Sequence, residues 1–177
     1  MATTEKRNPW FISSSSQVPP PVRVYPWGSL EGALKPGAAL AINSDGKVNS
    51  VANEGASILG YLLGLVDTTK TWPVVSLSTG TEVRVSIVRP GDLYGIFADF
   101  SGDDVALTQA HVGDSYGIRK QTGGTSGKLG YYTMCTTCTD PTMFTIVDII
   151  FNIEGSRFAL ADNPGAAIVK HTGVLQG

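Results

Sequence analysis

The feature that most restricts the fold of this chain is its series of short apolar segments, each ended by glycine, proline or an Asp-Gly turn. Residues 38–43 form one such segment, which ends at Ser44-Asp45-Gly46-Lys47 before Val48 begins the next. Asp-Gly between two apolar segments is a strong β-hairpin signal, because a primed turn needs positive φ angles that Asp tolerates and Gly adopts freely. We therefore predict a hairpin with a primed turn at this position.

Segments of the same kind recur along the rest of the chain. We predict further strands over residues 47–52, 57–66, 82–89, 93–98, 115–120, 128–134, 143–151, 157–161 and 166–171. The two glycines within 57–66 would cost a helix about 1 kcal/mol each relative to Ala, so we expect a bent strand there. Thr108 and Gly113 bracket one short helical turn, as N-cap and stop. Many short strands with regularly spaced turns indicate an all-β fold, a small β-barrel or β-sandwich.

Residues 1–30 differ in composition from the rest, with a serine run and Pro19-Pro20-Pro21. Proline fixes φ and lacks an N–H, so this part favours an extended backbone. We predict an N-terminal arm over residues 1–30 and a β-barrel domain over residues 31–177. The apolar side chains of the arm are candidates for binding a partner: Trp10, Phe11, Ile12, Val22, Tyr25 and Trp27. The alternative is that the arm packs on its own domain and covers a sheet edge.

The charge content limits the classes of partner. Only 16% of the residues are charged, compared with about 25% in a typical globular protein, and a surface of low charge suits a protein that packs against others. The formal net charge of −2 gives no electrostatic basis for binding nucleic acid. No segment approaches the roughly 18 apolar residues of a membrane span, and the N-terminus lacks the features of a signal peptide. We expect neither a nucleic-acid nor a membrane partner, and no secretion through the general pathway.

The chain has two cysteines, Cys135 and Cys138. A structural zinc site needs four ligands, and the remaining donors would have to come from distant residues. A thioredoxin-like redox site would need the pair to open a helix in a βαβ pattern, which this threonine-rich context does not provide. We favour two ordinary thiols in a loop, and a local disulfide or intersubunit contact and a metal site remain as alternatives.

The sequence offers no recognisable catalytic motif. His111 and His171 are the two imidazoles of the chain, and neither lies in a nucleophile motif. The acidic turn at residues 99–104 lacks the ordered ligand spacing of a calcium loop. We therefore expect a protein that is not an enzyme and that needs no cofactor and no metal, although a small hydrolase is kept as a third hypothesis.

A series of local motifs occurs in a defined order between residues 34 and 118. The series is Leu34-Lys35-Pro36-Gly37, Asp45-Gly46-Lys47-Val48, Ile58-Leu59-Gly60-Tyr61, Val83-Arg84-Val85, Arg89-Pro90-Gly91-Asp92, Thr108-Gln109-Ala110-His111-Val112-Gly113 and Tyr116-Gly117-Ile118. In order and spacing this part of the chain resembles the head decoration, or capsid cement, proteins of tailed bacteriophages. The resemblance covers about half of the chain and depends on the order and spacing of these motifs.

The resemblance implies a small β-barrel protein on the outer surface of an assembled icosahedral shell, which it stabilises against internal DNA pressure. The implied partner is the major capsid protein, and the implied assembly is a homo-oligomer, with a trimer favoured. The protein would be made in the cytoplasm of the bacterial host and end in the virion. Residues 1–30 and the part from Gly130 onward depart from the compact pattern of the family. A second hypothesis is a carbohydrate- or receptor-binding β domain of a phage tail or fibre.

Overall fold

The fold consists almost entirely of β-strands. The computed structural model describes residues 9–14, 16–29, 31–51, 57–67, 74–100, 103–104, 107–120, 132–135, 142–150, 166–172 and 174. The strands are β1 (Trp10–Ser13), β2 (Val22–Pro26), β3 (Glu31–Leu34), β4 (Ala39–Ile42), β5 (Val48–Ser50), β6 (Gly60–Leu65), β7 (Val74–Leu77), β8 (Glu82–Ile87), β9 (Leu93–Phe100), β10 (Asp103–Asp104), β11 (Ser115–Lys120), β12 (Tyr132–Cys135), β13 (Phe144–Ile149) and β14 (Ala166–His171). A 3₁₀ turn at Gln109–His111 is the short helical element expected after Thr108. The all-β fold class is confirmed, and the predicted strand at 157–161 lies outside the described residues.

Two sheets make up most of the structure. In the first, the strand order is β2-β8-β6-β4-β5, and its two outer strands meet where Trp27 bridges to Val48. In the second, β9 pairs with β12 on one side and with β14 on the other, so that β9, β12, β11, β13 and β14 form a closed ring. This closed ring is a five-stranded β-barrel. Strand β1 also pairs with β9 but is not one of the five strands of the ring.

Side chains from both sheets form one hydrophobic core. The first sheet contributes residues such as Leu40, Leu62 and Val85, and the second contributes residues such as Ile96, Met134 and Val169. All six are fully buried. Burial of a large aliphatic side chain stabilises a fold by about 1.5–3 kcal/mol, so this shared core holds the two sheets together.

The predicted hairpin joins β4 to β5, with Ile42 opposite Val48. The Oδ1 atom of Asn43 accepts hydrogen bonds from the backbone N–H groups of Asp45 and Lys47, both at 3.0 Å. Gly46 has a φ of 73°, whereas Gln17 is the one non-glycine residue of the described part with a positive φ. The hairpin is therefore confirmed, but the expected primed turn is wrong. A longer loop folded around the Asn43 side chain needs a positive φ only at Gly46.

Strand β6 is bent, as its two glycines predicted. The pairing with β8 shifts register between Leu62 and Gly64, which is the signature of a β-bulge. A Cβ atom at Gly60 would overlap the backbone carbonyl of Ser86. Glycine is therefore required at position 60 because the neighbouring strand approaches too closely for a side chain.

The N-terminal arm is part of both sheets. Strand β1 pairs with β9, and β2 pairs with β8 from Val22 opposite Ser86 to Pro26 opposite Glu82. Trp27 follows directly and is fully buried. Of the two alternatives left open by the sequence, the structure shows the arm packed on its own chain. The predicted boundary at residue 30 lies between β2 and β3. Both strands of the arm, β1 and β2, pair with strands of the predicted barrel domain.

Candidate interaction surface

Exposed aliphatic side chains gather on one side of the β2, β8 and β6 strands. Val22 and Val24 of β2 are 54% and 51% exposed, and Leu63 and Val66 on and after β6 are 47% and 40% exposed. Strand β8 lies between them and presents polar side chains, with Arg84 opposite both Val24 and Gly64. We call the surface formed by Val22, Val24, Leu63 and Val66 the outer face. Apolar patches of this kind on a protein surface are typical of interaction sites.

The outer face carries little net charge. The polar residues between its aliphatic side chains include Arg84 and Glu82, which have opposite charges. A shallow depression at one end is lined by Val66, Asp67, Thr81 and Glu82. A partner that fits this surface would be bound mainly by burial of apolar area, because single exposed charges contribute little.

The six predicted partner-binding residues are divided between the core and the surface. Trp27 is fully buried, and Phe11 and Tyr25 pack partly buried against the core. The Phe11 ring meets the Tyr94 ring edge-on at a centroid distance of 5.6 Å. Ile12 and Val22 are exposed, and the Trp10 side chain lies outside the described residues. Trp27 is therefore enclosed by its own chain, and the binding role of the set stays a prediction.

Arg89 fastens the arm to the body. Its Nε and Nη2 atoms donate to the two carboxylate oxygens of Asp92, at 3.2 and 3.3 Å. Nη2 also donates to the Ser14 Oγ atom at 3.1 Å and to the Val18 backbone carbonyl. Asp92 is almost completely buried. One guanidinium thus joins a buried carboxylate to the segment between β1 and β2, a fork geometry that lysine cannot reproduce.

We expect the substitution Arg89→Met to lower the free energy of unfolding by about 2–3 kcal/mol, because it removes charged hydrogen bonds and leaves a buried carboxylate less well paired. Limited proteolysis between residues 14 and 18 should accelerate in the same variant. The matched control is Arg84→Met, since Arg84 is an exposed arginine of the neighbouring strand and should change stability by no more than about 0.5 kcal/mol. Equal stability of the two variants would show that Arg89 does not hold the arm.

A cluster of polar aromatic side chains lies between the two sheets. The Tyr61 hydroxyl and the His171 Nε2 atom are 2.6 Å apart, and the Tyr94 ring stacks edge-on against His171 at 4.9 Å. Burial lowers the pKa of His171 to about 3, against an opposing effect of Asp92. Burial also raises the pKa of Tyr61, with a further contribution from Tyr94. His171 is therefore neutral in the folded protein and serves as a hydrogen-bonding partner within the core.

The titratable side chains of the described residues are either buried or dispersed. The Tyr61–His171 pair is buried, so a substrate cannot reach it. Within the described part of the chain, no group of three or more His, Cys, Asp or Glu side chains is arranged to hold a metal ion. His111 lies on the 3₁₀ turn, where its Nδ1 atom accepts the backbone N–H of Thr108 at 3.0 Å. Among the described residues there is no apolar helix of the length that a membrane span requires.

Cys135 lies fully buried on β12 and is disulfide-bonded. Cys138 is the one other cysteine in the sequence. The favoured interpretation from the sequence, two ordinary thiols, is therefore wrong, and the disulfide alternative is correct. Spacing alone could not decide this, because disulfide formation depends on how closely the folded backbone brings the two Cβ atoms together.

Comparison with known proteins adds no assignment: no protein-family model and no curated protein sequence matches the chain. The functional features must therefore be taken from the structure. The sequence-based set omitted Val24, Leu63 and Val66 of the outer face. The alternation Val22-Arg23-Val24-Tyr25 beside prolines could have indicated an edge strand with exposed valines, whereas the exposure of Leu63 depends on the bulge in β6.

Proposed function

We propose that this chain is a decoration protein of a tailed-bacteriophage head, which binds the outer surface of the shell across capsomer boundaries and stabilises it. The observation that carries the proposal is the outer face, where Val22, Val24, Leu63 and Val66 are exposed on one side of a sheet. The chain is held together by extensive strand pairing and one core. Such a protein is suited to binding through a fixed surface, and we propose that it does so without catalysis.

The proposed partner is the major capsid protein, and the proposed action is mechanical linkage. A decoration protein that contacts two shell subunits at once adds its own contacts to those that must break before the subunits separate. Ligands that bind only the assembled state stabilise it by mass action, and attachment at several sites multiplies modest affinities. Association of the chain into a symmetric homo-oligomer, a trimer in the resembling family, would provide such multiple sites.

A carbohydrate- or receptor-binding module is the alternative function. That function calls for exposed aromatic rings, because sugars stack on them. Among the described side chains, every aromatic ring is buried or half-buried, and the exposed large apolar side chains are all aliphatic. This distribution favours a protein partner over a glycan.

The experiment is cosedimentation of the purified chain with tailed-phage heads that lack it. We expect saturable binding at a stoichiometry set by the shell lattice, and a rise in the temperature at which the heads open. Binding should persist when the salt concentration is raised about fivefold, from about 0.1 to about 0.5 M, because salt weakens exposed ionic contacts but not apolar ones. Absence of saturable binding would exclude the proposal, and glycan-array binding without head binding would favour the alternative.

Two matched variants test whether the outer face is the contact. Leu63→Asp places a charge on the outer face, whereas Val147→Asp places one at a similarly exposed site on β13 of the other sheet. We expect Leu63→Asp to weaken head binding at least tenfold, since the contact would have to desolvate an ionised carboxylate where the native chain buries an apolar side chain. Val147→Asp should bind like the native chain. If both variants bound heads equally well, the contact with the head would lie elsewhere on the protein.

A further inference from the structure

Strand β1 is joined to the rest of the fold by a tight turn. The Gln17 N–H donates to the Ser14 carbonyl at 3.1 Å, and the Ser14 Oγ atom accepts the N–H of Ser16 at 3.2 Å. Gln17 has a φ of 56° and is the one non-glycine residue of the described part in the left-handed region. A side chain in this region strains the backbone. We call the segment from Ser14 to Val18 the hinge.

The sequence at the hinge favours an open chain. Three consecutive prolines, Pro19-Pro20-Pro21, follow directly, and prolines in succession favour an extended backbone. Gln17 would lose its strain in the extended region, which every residue adopts readily. Ser16 and Gln17 are exposed, so the body of the protein does not enclose the turn. The hinge is therefore a surface turn whose closed form is opposed by its own sequence.

The contacts of β1 do not depend on the closed hinge. Phe11 lies opposite Tyr94 of β9 and packs its ring edge-on against that tyrosine at a centroid distance of 5.6 Å. Arg89 binds the two ends of the hinge, through the Ser14 Oγ atom and the Val18 carbonyl. Ser14 adjoins β1 and Val18 lies on the β2 side. Both bonds can therefore be kept when the backbone between these two residues runs to another copy.

We propose that β1 is exchanged between copies of this chain, so that the β1 strand of one copy pairs with the β9 strand of another. The exchanged form keeps the strand pairing, the Phe11–Tyr94 contact and the Arg89 bonds, and it differs from the closed form in an extended hinge. Exchange of an identical element is a route to oligomers that requires no new binding surface. A second copy is the occupant because the site on β9 already fits this strand, and opening the hinge removes the strain at Gln17.

The length of the hinge limits how the copies meet. An extended chain spans at most about 14 Å between the Cα atoms of Ser14 and Val18, so the copies must approach each other beside Arg89. The Arg89 side chain is 29% exposed and is paired with Asp92, so two such sites can approach without bringing unpaired charges together. Each copy gives one β1 strand and receives one. Exchange therefore closes between two copies or around a ring of three.

Cysteine cross-linking between different chains tests the exchange. Ser13 of β1 lies opposite Leu93 of β9. Opposed residues of an antiparallel pair have Cα atoms about 4.5–5.5 Å apart, which is within the range for a disulfide. One chain carries Ser13→Cys, a second chain with an added tag carries Leu93→Cys, and the two are produced in the same cell. We expect mild oxidation to join them into covalent heterodimers.

The matched control replaces Leu93→Cys by Val147→Cys, at an exposed site on β13 that does not pair with β1. We expect the combination with Leu93→Cys to give at least tenfold more heterodimer than this control. Equal yields from the two combinations would overturn the proposal, because cross-links would then arise from random collision.

Substitutions at Gln17 test the hinge. Gln17→Gly removes the strain of the closed turn, whereas Gln17→Pro cannot adopt a positive φ and holds the hinge open. In sedimentation equilibrium we expect the native chain to form oligomers. The ratio of oligomer to monomer should be at least tenfold lower in Gln17→Gly and at least tenfold higher in Gln17→Pro. Both variants should keep the native circular dichroism, because position 17 is exposed.

Ser16→Gly is the matched control for the hinge, since it places glycine in the same turn at a residue without a positive φ. It should change the ratio of oligomer to monomer much less than Gln17→Gly does. A native chain that stays monomeric, or equal ratios in Gln17→Gly and Gln17→Pro, would overturn the exchange.

The exchange goes beyond the proposed function and does not depend on it. Exchanged oligomers that fail to bind heads would support the exchange and remove the proposed function. Head binding by a chain that does not exchange β1 would do the reverse. The two proposals are therefore tested separately.

Discussion

Replacement of Trp27 by alanine is expected to lower the free energy of unfolding by about 3–5 kcal/mol, the range for truncating a large buried aromatic. Trp27 is fully buried, and it lies where β2 meets β5 and where its own N–H and C=O groups bind Thr81 and Gly80. The cavity would open at the junction that closes the first sheet. Urea denaturation followed by circular dichroism measures the change.

Two comparisons separate packing from other effects. Val24→Ala truncates an exposed side chain three residues earlier in the chain. It should alter the free energy of unfolding by no more than about 0.5 kcal/mol. Trp27→Phe keeps most of the apolar volume and removes an indole N–H that has no hydrogen-bond partner in the described structure, so it should cost less than the alanine variant. If Trp27→Ala were as stable as Val24→Ala, the tryptophan would not be a core residue.

Stability is expected to fall steeply with acid because of His171. Burial lowers the pKa of His171 in the folded protein to about 3, below its ordinary value of 6.5. Between these values the unfolded chain binds a proton that the folded chain does not, so stability is complete above pH 6.5 and is lost as the pH falls towards 3. The expected loss from this group is about 2 kcal/mol by pH 5 and about 4 kcal/mol by pH 3.

Denaturation at several pH values, with variants that cannot titrate, measures this contribution. In His171→Gln the decline between pH 7 and pH 5 should be smaller than in the native chain by about 2 kcal/mol, whatever its stability at neutral pH. His171→Phe provides a second non-titrating variant among the same aromatic neighbours. A native decline that His171→Gln leaves unchanged would place the acid-sensitive group elsewhere.

The arm shows why sequence reasoning about residues 1–30 was incomplete. Proline content correctly indicated an extended backbone, and an extended segment can either remain free or join a sheet. The sequence does not show that Arg89 reaches Ser14 or that Trp27 fills the junction between β2 and β5, because these contacts join residues far apart in the chain. Deletion of residues 1–30 would remove two strands and a core tryptophan, so we expect loss of the fold rather than a stable body.

Local sequence patterns were enough to predict the all-β class, the positions of most described strands, the β4–β5 hairpin and the bend in β6. Each of these follows from local rules of alternation, turn residues and glycine conformation, which act over a few neighbouring residues. Long-range packing, in contrast, sets how the strands divide into two large sheets and the two-stranded β3–β7 sheet. It also buries His171 beside Tyr61 and leaves Val22 and Val24 exposed while Trp27 is enclosed. Exposure and pairing depend on which distant strands meet, and that choice is made by the packing of the whole chain.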